Sequence, residues 1–300
     1  MSLQPRVVQV HRRSEYEEML VRHGTRQQAA FFLESRGRTI NELAARHALV
    51  EHARGSAASA IPPDWRRTEV ERSDLHHFRF APEDIVIVIG QDGLVANTAK
   101  YLGGQPVIGI NPEPARNPGV LVPHTAESAS ALLAATAAEQ VPIQRRTMVM
   151  ATTDDGQELR AVNEVYFGHR SHQSARYRLE TPFGAFERHS SSGVLAGTGT
   201  GATGWLRSAW QERNSRLTLP QPESPELCWF VREAWASITT GTDLTEGLVG
   251  EGGALKLQAE SDELVCFGDG IETDTLRLAW GQTLTITAAE QTLNLVVASL

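Results

Sequence analysis

Between Ile85 and Ile89 five β-branched residues stand in a row, and Gly90-Gln91-Asp92-Gly93 follows at once. The run is too short for a buried helix and shows no polar alternation. It predicts a strand covered on both faces, as parallel sheets require. Beyond the glycines the residues have helical character, with Leu94, Ala99 and Leu102 turned inward. The stretch therefore reads as strand, glycine turn and helix N-terminus. Glycine admits φ > 0 and lets backbone approach a ligand closely. Backbone N–H groups at such a turn suit phosphate, and one carboxylate, Asp92, projects from it. A tight strand-to-helix turn in any α/β domain looks the same, because short glycine motifs are weak signals alone.

The rest of the first half supplies a sheet around that strand. Arg6 to Val10 is a short strand candidate, and Ser14 with Glu17 three residues later is a capping-box pattern before a helix. The helical pattern breaks near Gly24, resumes through Leu33-Glu34 and stops at Gly37. A further helix is expected from about Asn41 to Ala53, and a loop from Gly55 to Pro63. His76 and His77 are adjacent, which on a strand puts them on opposite faces and argues against a metal pair. Pro106 to Asn111 reads as another buried strand, the prolines from Pro112 to Pro118 as a rigid loop, and Ala126 to Glu139 as a helix. Alternating strands and helices imply a parallel sheet with helices on its faces.

After residue 140 the pattern changes to short strands with polar turns: Arg145 to Thr152, Gln157 to Phe167, Ser174 to Glu180 and Phe183 to Ser190. More strands follow from Glu226, ending with Thr283 to Thr287 and Leu293 to Val297, and one helix falls near residues 203–213. The expectation is an α/β N-terminal domain with a parallel sheet, residues 1–124, and an all-β sandwich C-terminal domain, residues 125–300, with the change-over near residues 123–145.

Bulk properties exclude some partners. A net charge of -8 argues against broad nucleic-acid binding. The clusters Arg12-Arg13, Arg66-Arg67 and Arg145-Arg146 are expected at the solvated surface, though one can face phosphates. Two cysteines, Cys228 and Cys266, lack metal spacing and read as reduced, buried thiols. There is no apolar leader and no run of membrane-spanning length, so a soluble, cytoplasmic protein with no membrane partner is expected.

Three further stretches carry chemistry. Asn163 and Glu164 set an amide beside a carboxylate in a strand pattern. Residues 192–205, from Ser192 to Trp205, hold five glycines and three threonines at the entry to a helix. Phe267-Gly268-Asp269-Gly270-Ile271 has the look of a hairpin turn. Each alone reads equally as an edge strand, a flexible loop and a turn. In this order, with the Gly90–Gly93 loop, they resemble the NAD kinase family. The family shows a Gly-Gly-Asp-Gly loop, a later Asn-Glu pair and a Thr-x-Thr-Gly segment leading into a helix. VIGINPEPARNPGVLVP, NEVYFGHRSHQSARYRLE, SSGVLAGTGTGATGW and the opening His11-Arg12-Arg13 with Tyr16 look like the atypical branch that includes the animal mitochondrial NAD kinase. The resemblance spans about residues 6 to 297.

That resemblance implies a dinucleotide bound between the two domains, with ATP and Mg2+ as donor and cofactor, and a homodimer or higher homo-oligomer. Asp92 would act as the base toward the ribose 2′-hydroxyl of NAD, a poor nucleophile at neutral pH. Gly90, Gln91 and Gly93 would hold phosphates. Asn163 can exchange hydrogen bonds with adenine or amide edges, and Glu164 can accept from ribose hydroxyls. By resemblance Thr203, Gly204 and Ser208 line the adenine pocket, and Trp205 stands where the family has an aromatic residue to stack. Two departures stand out: Gln91 replaces the second glycine of the loop, and Leu94 replaces the usual threonine. A silent dinucleotide-binding relative and a kinase for another hydroxyl are the alternatives. Lipid and sphingosine kinases share the N-terminal loop, but the Asn163-Glu164 pair and the Thr200-Gly201 region favour a nucleotide acceptor.

Overall fold

The computed structural model describes residues 5–297. The chain forms two compact units: residues up to Gln144 together with those from Asn294, and Arg145–Leu293. The ends of the expected domain spans, residues 1–4 and 298–300, lie outside the described residues. The division at 144/145 keeps the alanine-rich helix in the first unit. The reason is packing: Ala129, Leu132 and Leu133 share a core with Ile85, Ile87 and Ile108.

The first unit is built on parallel strands β1 (Arg6–His11), β2 (Arg66–Glu71), β3 (Asp84–Ile89) and β4 (Pro106–Ile110), ordered β2-β1-β3-β4. Val8 stands opposite Thr68 and Val86, and Ile87 opposite Ile108. Every residue of β3 is buried, as its β-branched run demands. Ile85, Ile87 and Ile89 face one core with Ala53 and Ala57, while Val86 and Val88 point the other way and are equally buried. The helices are α1 (Glu15–His23), α2 (Arg26–Glu34), α3 (Ile40–Ala60), α4 (Asp92–Ala99) and α5 (Ala129–Ala137). The capping box before α1 is present: Ser14 N–H donates to Glu17 Oε2 at 2.8 Å, and Glu17 N–H to Ser14 Oγ at 3.3 Å.

Two expectations change here. The loop expected from Gly55 is the last part of α3, which runs to Ala60. Its small residues are a packing face, with Ala53 and Ala57 pressed on the sheet, and helix yields to chain only at Pro62-Pro63. His76 and His77 lie in a 3-10 turn, Arg72–His77, with ring centroids 3.8 Å apart. β2, charged at alternate exposed positions, is a strand the hydrophobic pattern did not announce.

The second unit consists of β5 (Ile143–Thr153, entering from residue 145), β6 (Glu158–Ala161), β7 (Glu164–His169), β8 (Ala175–Glu180), β9 (Phe186–Ser191), β10 (Gly193–Gly197), α6 (Trp205–Glu212), β11 (Leu227–Arg232), β12 (Glu246–Val249), β13 (Leu255–Ala259), β14 (Leu264–Gly268), β15 (Thr275–Leu278) and β16 (Thr283–Val296). One antiparallel sheet is ordered β12-β11-β10-β7-β14-β15. The other joins β16, β13, β8 and β9, with β5 beside β16 and β6. Phe167 and Trp229 from the first sheet and Tyr177, Leu257 and Ile286 from the second share one core. The two expected C-terminal strands are one, β16, whose last residues belong to the first unit: Asn294 and Leu295 pair in parallel with Pro106 and Val107 of β4. The expected strand from 157 to 167 is broken between Ala161 and Glu164 into β6 and β7. That break positions the site.

Candidate active site

In open parallel sheets ligands gather at the carboxyl ends of the strands, and the Gly90–Gly93 loop leaves the carboxyl end of β3. Gly90 has φ 157, and a Cβ there would stand 3.2 Å from Leu94 Cδ2, so Leu94 takes the space under the turn. Gln91 has φ -104 and ψ 166, an extended conformation open to any residue. Its replacement of glycine therefore brings no backbone strain. Instead its Oε1 accepts from Arg12 Nη2 at 3.3 Å. Asp92 opens α4, yet no side chain caps that helix. Its carboxylate accepts from the backbone N–H of Val120 at 2.9 Å and of Leu121 at 2.7 Å. Asp92 is thereby fixed in orientation by the loop after Pro118, and each oxygen keeps a lone pair. Gly93 is exposed, with open space around its Cα.

In the second unit the break between β6 and β7 is a bend held from two sides. Asp269, at φ 54 in the turn after β14, accepts from Val162 N–H at 3.0 Å and Asn163 N–H at 2.8 Å. Thr198 Oγ1 donates to Val162 O at 2.7 Å, and Thr198 N–H to Asn163 O at 2.9 Å. Two glycines of the 192–205 stretch serve this contact. A Cβ at Gly197, and equally at Gly201, would fall 2.3 Å from Asn163 O. The stretch expected as a flexible loop is thus a buried strand, β10, followed by a tight turn. Fixing the bend leaves its side chains unspent: among the described residues neither the Asn163 amide nor the Glu164 carboxyl has a hydrogen-bond partner. Asn163 is half-buried and Glu164 is 9% exposed. Burial, with the charge of Asp269 adding, pushes the Glu164 carboxyl up to about 8. At neutral pH it keeps its proton and can donate a hydrogen bond as well as accept one.

Trp205 opens α6 and stacks on Tyr166, ring centroids 5.7 Å apart at 17°, and Tyr166 meets Phe267 at 5.1 Å. Thr203, Gly204 and Ser208 are exposed around the start of α6. The structure thus gathers Asn163, Glu164, Thr198 and Asp269, and separately Trp205 with Tyr166. Sequence reading missed Asp269 as the clamp of the bend, although its Gly-Asp-Gly setting marks a turn. It also missed Arg146, expected at the surface but 6% exposed, with Nη1 on Thr200 Oγ1 at 3.4 Å. Arg146 begins a run of four buried residues in β5, so no alternation marked it in the sequence. No group of three or more His, Cys, Asp or Glu side chains is placed to hold a metal among the described residues, and no helix is long and apolar enough to cross a membrane.

A parallel-sheet α/β unit and an antiparallel β unit of this topology make the two-domain fold of NAD kinases. Solved structures similar to the chain include yeast NADH kinase complexed with NADH, with a TM-score of 0.62 and 13% identity over 99% of this chain and 85% of that one. Another is an NAD kinase from Archaeoglobus fulgidus in complex with ATP, with a TM-score of 0.61 and 15% identity over 98% of this chain and 94% of that one. At such identities the likeness is one of fold. No protein-family model matches the sequence, and no curated protein matches it.

Proposed function

We propose that the protein is an NAD kinase, moving the terminal phosphoryl group of ATP to the 2′-hydroxyl of the adenosine ribose of NAD to give NADP. The observation that carries this reading is the Asn163-Glu164 bend: an amide and a protonated carboxyl held rigidly by Asp269 and Thr198 with their own hydrogen-bonding capacity unused. Asn163 serves adenine or amide edges, and Glu164 serves ribose hydroxyls. Thr203, Gly204 and Ser208 line the adenine side, and Trp205 offers a stacking face. In the first unit Gly90, Gln91 and Gly93 hold phosphates. Asp92, oriented by two backbone N–H groups, takes the hydroxyl proton or aligns that hydroxyl for attack. Mg2+ held with the donor phosphates would supply charge neutralisation for the transfer. A magnesium ion typically keeps one or two carboxylates besides substrate phosphates, and the single carboxylate of the loop fits that requirement. The motif resemblance to the animal mitochondrial branch supports extending the proposal to that branch and to a homo-oligomer, and the free, buried thiols of Cys228 and Cys266 fit a reducing compartment such as the cytoplasm.

The test is purified protein with ATP, Mg2+ and either NAD+ or NADH, read by an NADP-specific dehydrogenase, with melting curves run beside it. NADP formation and a melting temperature raised by the dinucleotide are expected, since a ligand of the native state stabilises it by mass action. No turnover and no shift would remove the reading. A shift without turnover would favour a silent binder, a reading that the engagement of both Asp92 oxygens supports.

A further inference from the structure

We propose that Arg12, held over the loop by Gln91, grips the terminal phosphates of the donor; this rests on the kinase reading and adds a donor-binding residue to it. β1 ends at His11, so Arg12 and Arg13 emerge at the same edge of the sheet as Gly90. There they line a cavity of about 100 Å3 with Tyr16, Arg46, His47 and Gln91. The cations of this cavity differ in how far they are neutralised. Arg46 binds Glu113 at 2.9 Å and lies 3.5 Å from Glu15, and Glu15 is further held by Arg38 at 2.7 Å. Arg13 pairs with Glu71 at 3.2 Å. Arg12 has no carboxylate partner among the described residues, and its hydrogen bond goes to the neutral Gln91 Oε1 at 3.3 Å.

A guanidinium matches phosphate oxygens with two parallel donors, and a charge-assisted bond is roughly twice as strong as one to a neutral amide. A phosphate therefore displaces the Gln91 carbonyl from Arg12. Until then the amide holds the long side chain over the loop, which limits the rotamer freedom lost on binding. Gln91 in place of glycine is, on this account, a tether for the arginine. Its extended backbone lets it act so without strain.

The experiment titrates the wild type, Arg12→Ala and Arg12→Lys with inorganic tripolyphosphate by calorimetry, and measures KM for ATP and for NAD+ in the coupled assay. Arg12 is exposed, so truncation leaves the core intact, and the lysine variant keeps charge while removing the fork. Arg12→Ala is expected to weaken tripolyphosphate binding and raise KM for ATP by about ten- to a hundred-fold, with the lysine variant between. KM for NAD+ should move far less. Equal tripolyphosphate binding by all three proteins overturns the inference, as does its absence from the wild type. If the wild type forms NADP and the alanine variant keeps its KM for ATP, the inference falls alone. If tripolyphosphate binds through Arg12 but no NADP forms, the kinase reading falls and the phosphate grip stands.

Discussion

Asp92 in the first unit and Glu164 in the second live under opposite conditions. Asp92 sits at an open turn at the carboxyl end of a parallel strand, with both oxygens accepting from backbone N–H groups. Glu164 sits at the start of an antiparallel strand, 9% exposed, its carboxyl without a hydrogen-bond partner among the described residues and beside another acid. A carboxylate oriented by two backbone donors can align a hydroxyl or take its proton. A carboxyl starved of donors stays neutral and becomes a donor itself. This contrast matches the division proposed above, with phosphates at the first unit and neutral hydroxyls and amides at the second.

The sharpest break of this contrast is Asp92→Asn. The change keeps size, removes basicity and sets an NH2 group against the N–H groups of Val120 and Leu121. We expect kcat to fall about 10²–10⁴-fold while NAD+ Kd moves much less, both measured on the same folded protein. Retained turnover with a lowered melting temperature would reduce Asp92 to a pin for the loop after Pro118.

Glu164 should show itself in pH dependence. Its native carboxyl titrates at about 8 against 4.5 for the ordinary group. The native state thus holds a proton that the unfolded chain releases. The stability this contributes is whole below about pH 4.5 and is lost as pH rises through about 8. Melting temperatures followed across that window should decline in the wild type and decline less in Glu164→Gln. Equal slopes would mean that Glu164 is ionised in the native protein, and the contrast with Asp92 would disappear.

The smallest effect belongs to Gln91→Gly. Because Gln91 already has an ordinary extended backbone, glycine relieves nothing there and frees Arg12. A loss in kcat/KM for ATP equivalent to about 1–2 kcal/mol is expected. A gain would mean that the side chain crowds the donor.

Much of this was legible in the chain. The Ile85–Ile89 run announced a doubly covered strand, and short strand stretches parted by polar turns announced the β unit after residue 140. Glycine was harder to read. Gly197 and Gly201 look like flexibility in sequence, yet they are where backbone meets Asn163 O at a distance that admits no side chain. Gly55 looks like a break yet lies inside α3. In both cases composition is local while the partner lies far along the chain. The same holds for Asp269 and Arg146, whose roles depend on strands brought alongside by the sheets.

β16 has a consequence for the order of events at the ribosome. It starts in the second unit and ends in the first, where Val296 fills the core against β3 and β4 and His124 Nε2 meets Val296 O at 2.8 Å. The first unit is therefore discontinuous in the chain, and its sheet is completed by residues synthesised after the whole second unit. Domain-by-domain folding from the N-terminus, the usual course during synthesis, cannot finish this unit first. The nascent α/β half must wait, with the outer edge of β4 unpaired, until some 150 further residues have left the tunnel. During that interval an exposed parallel edge is an invitation to mispairing, and chaperone demand should track translation of the second half.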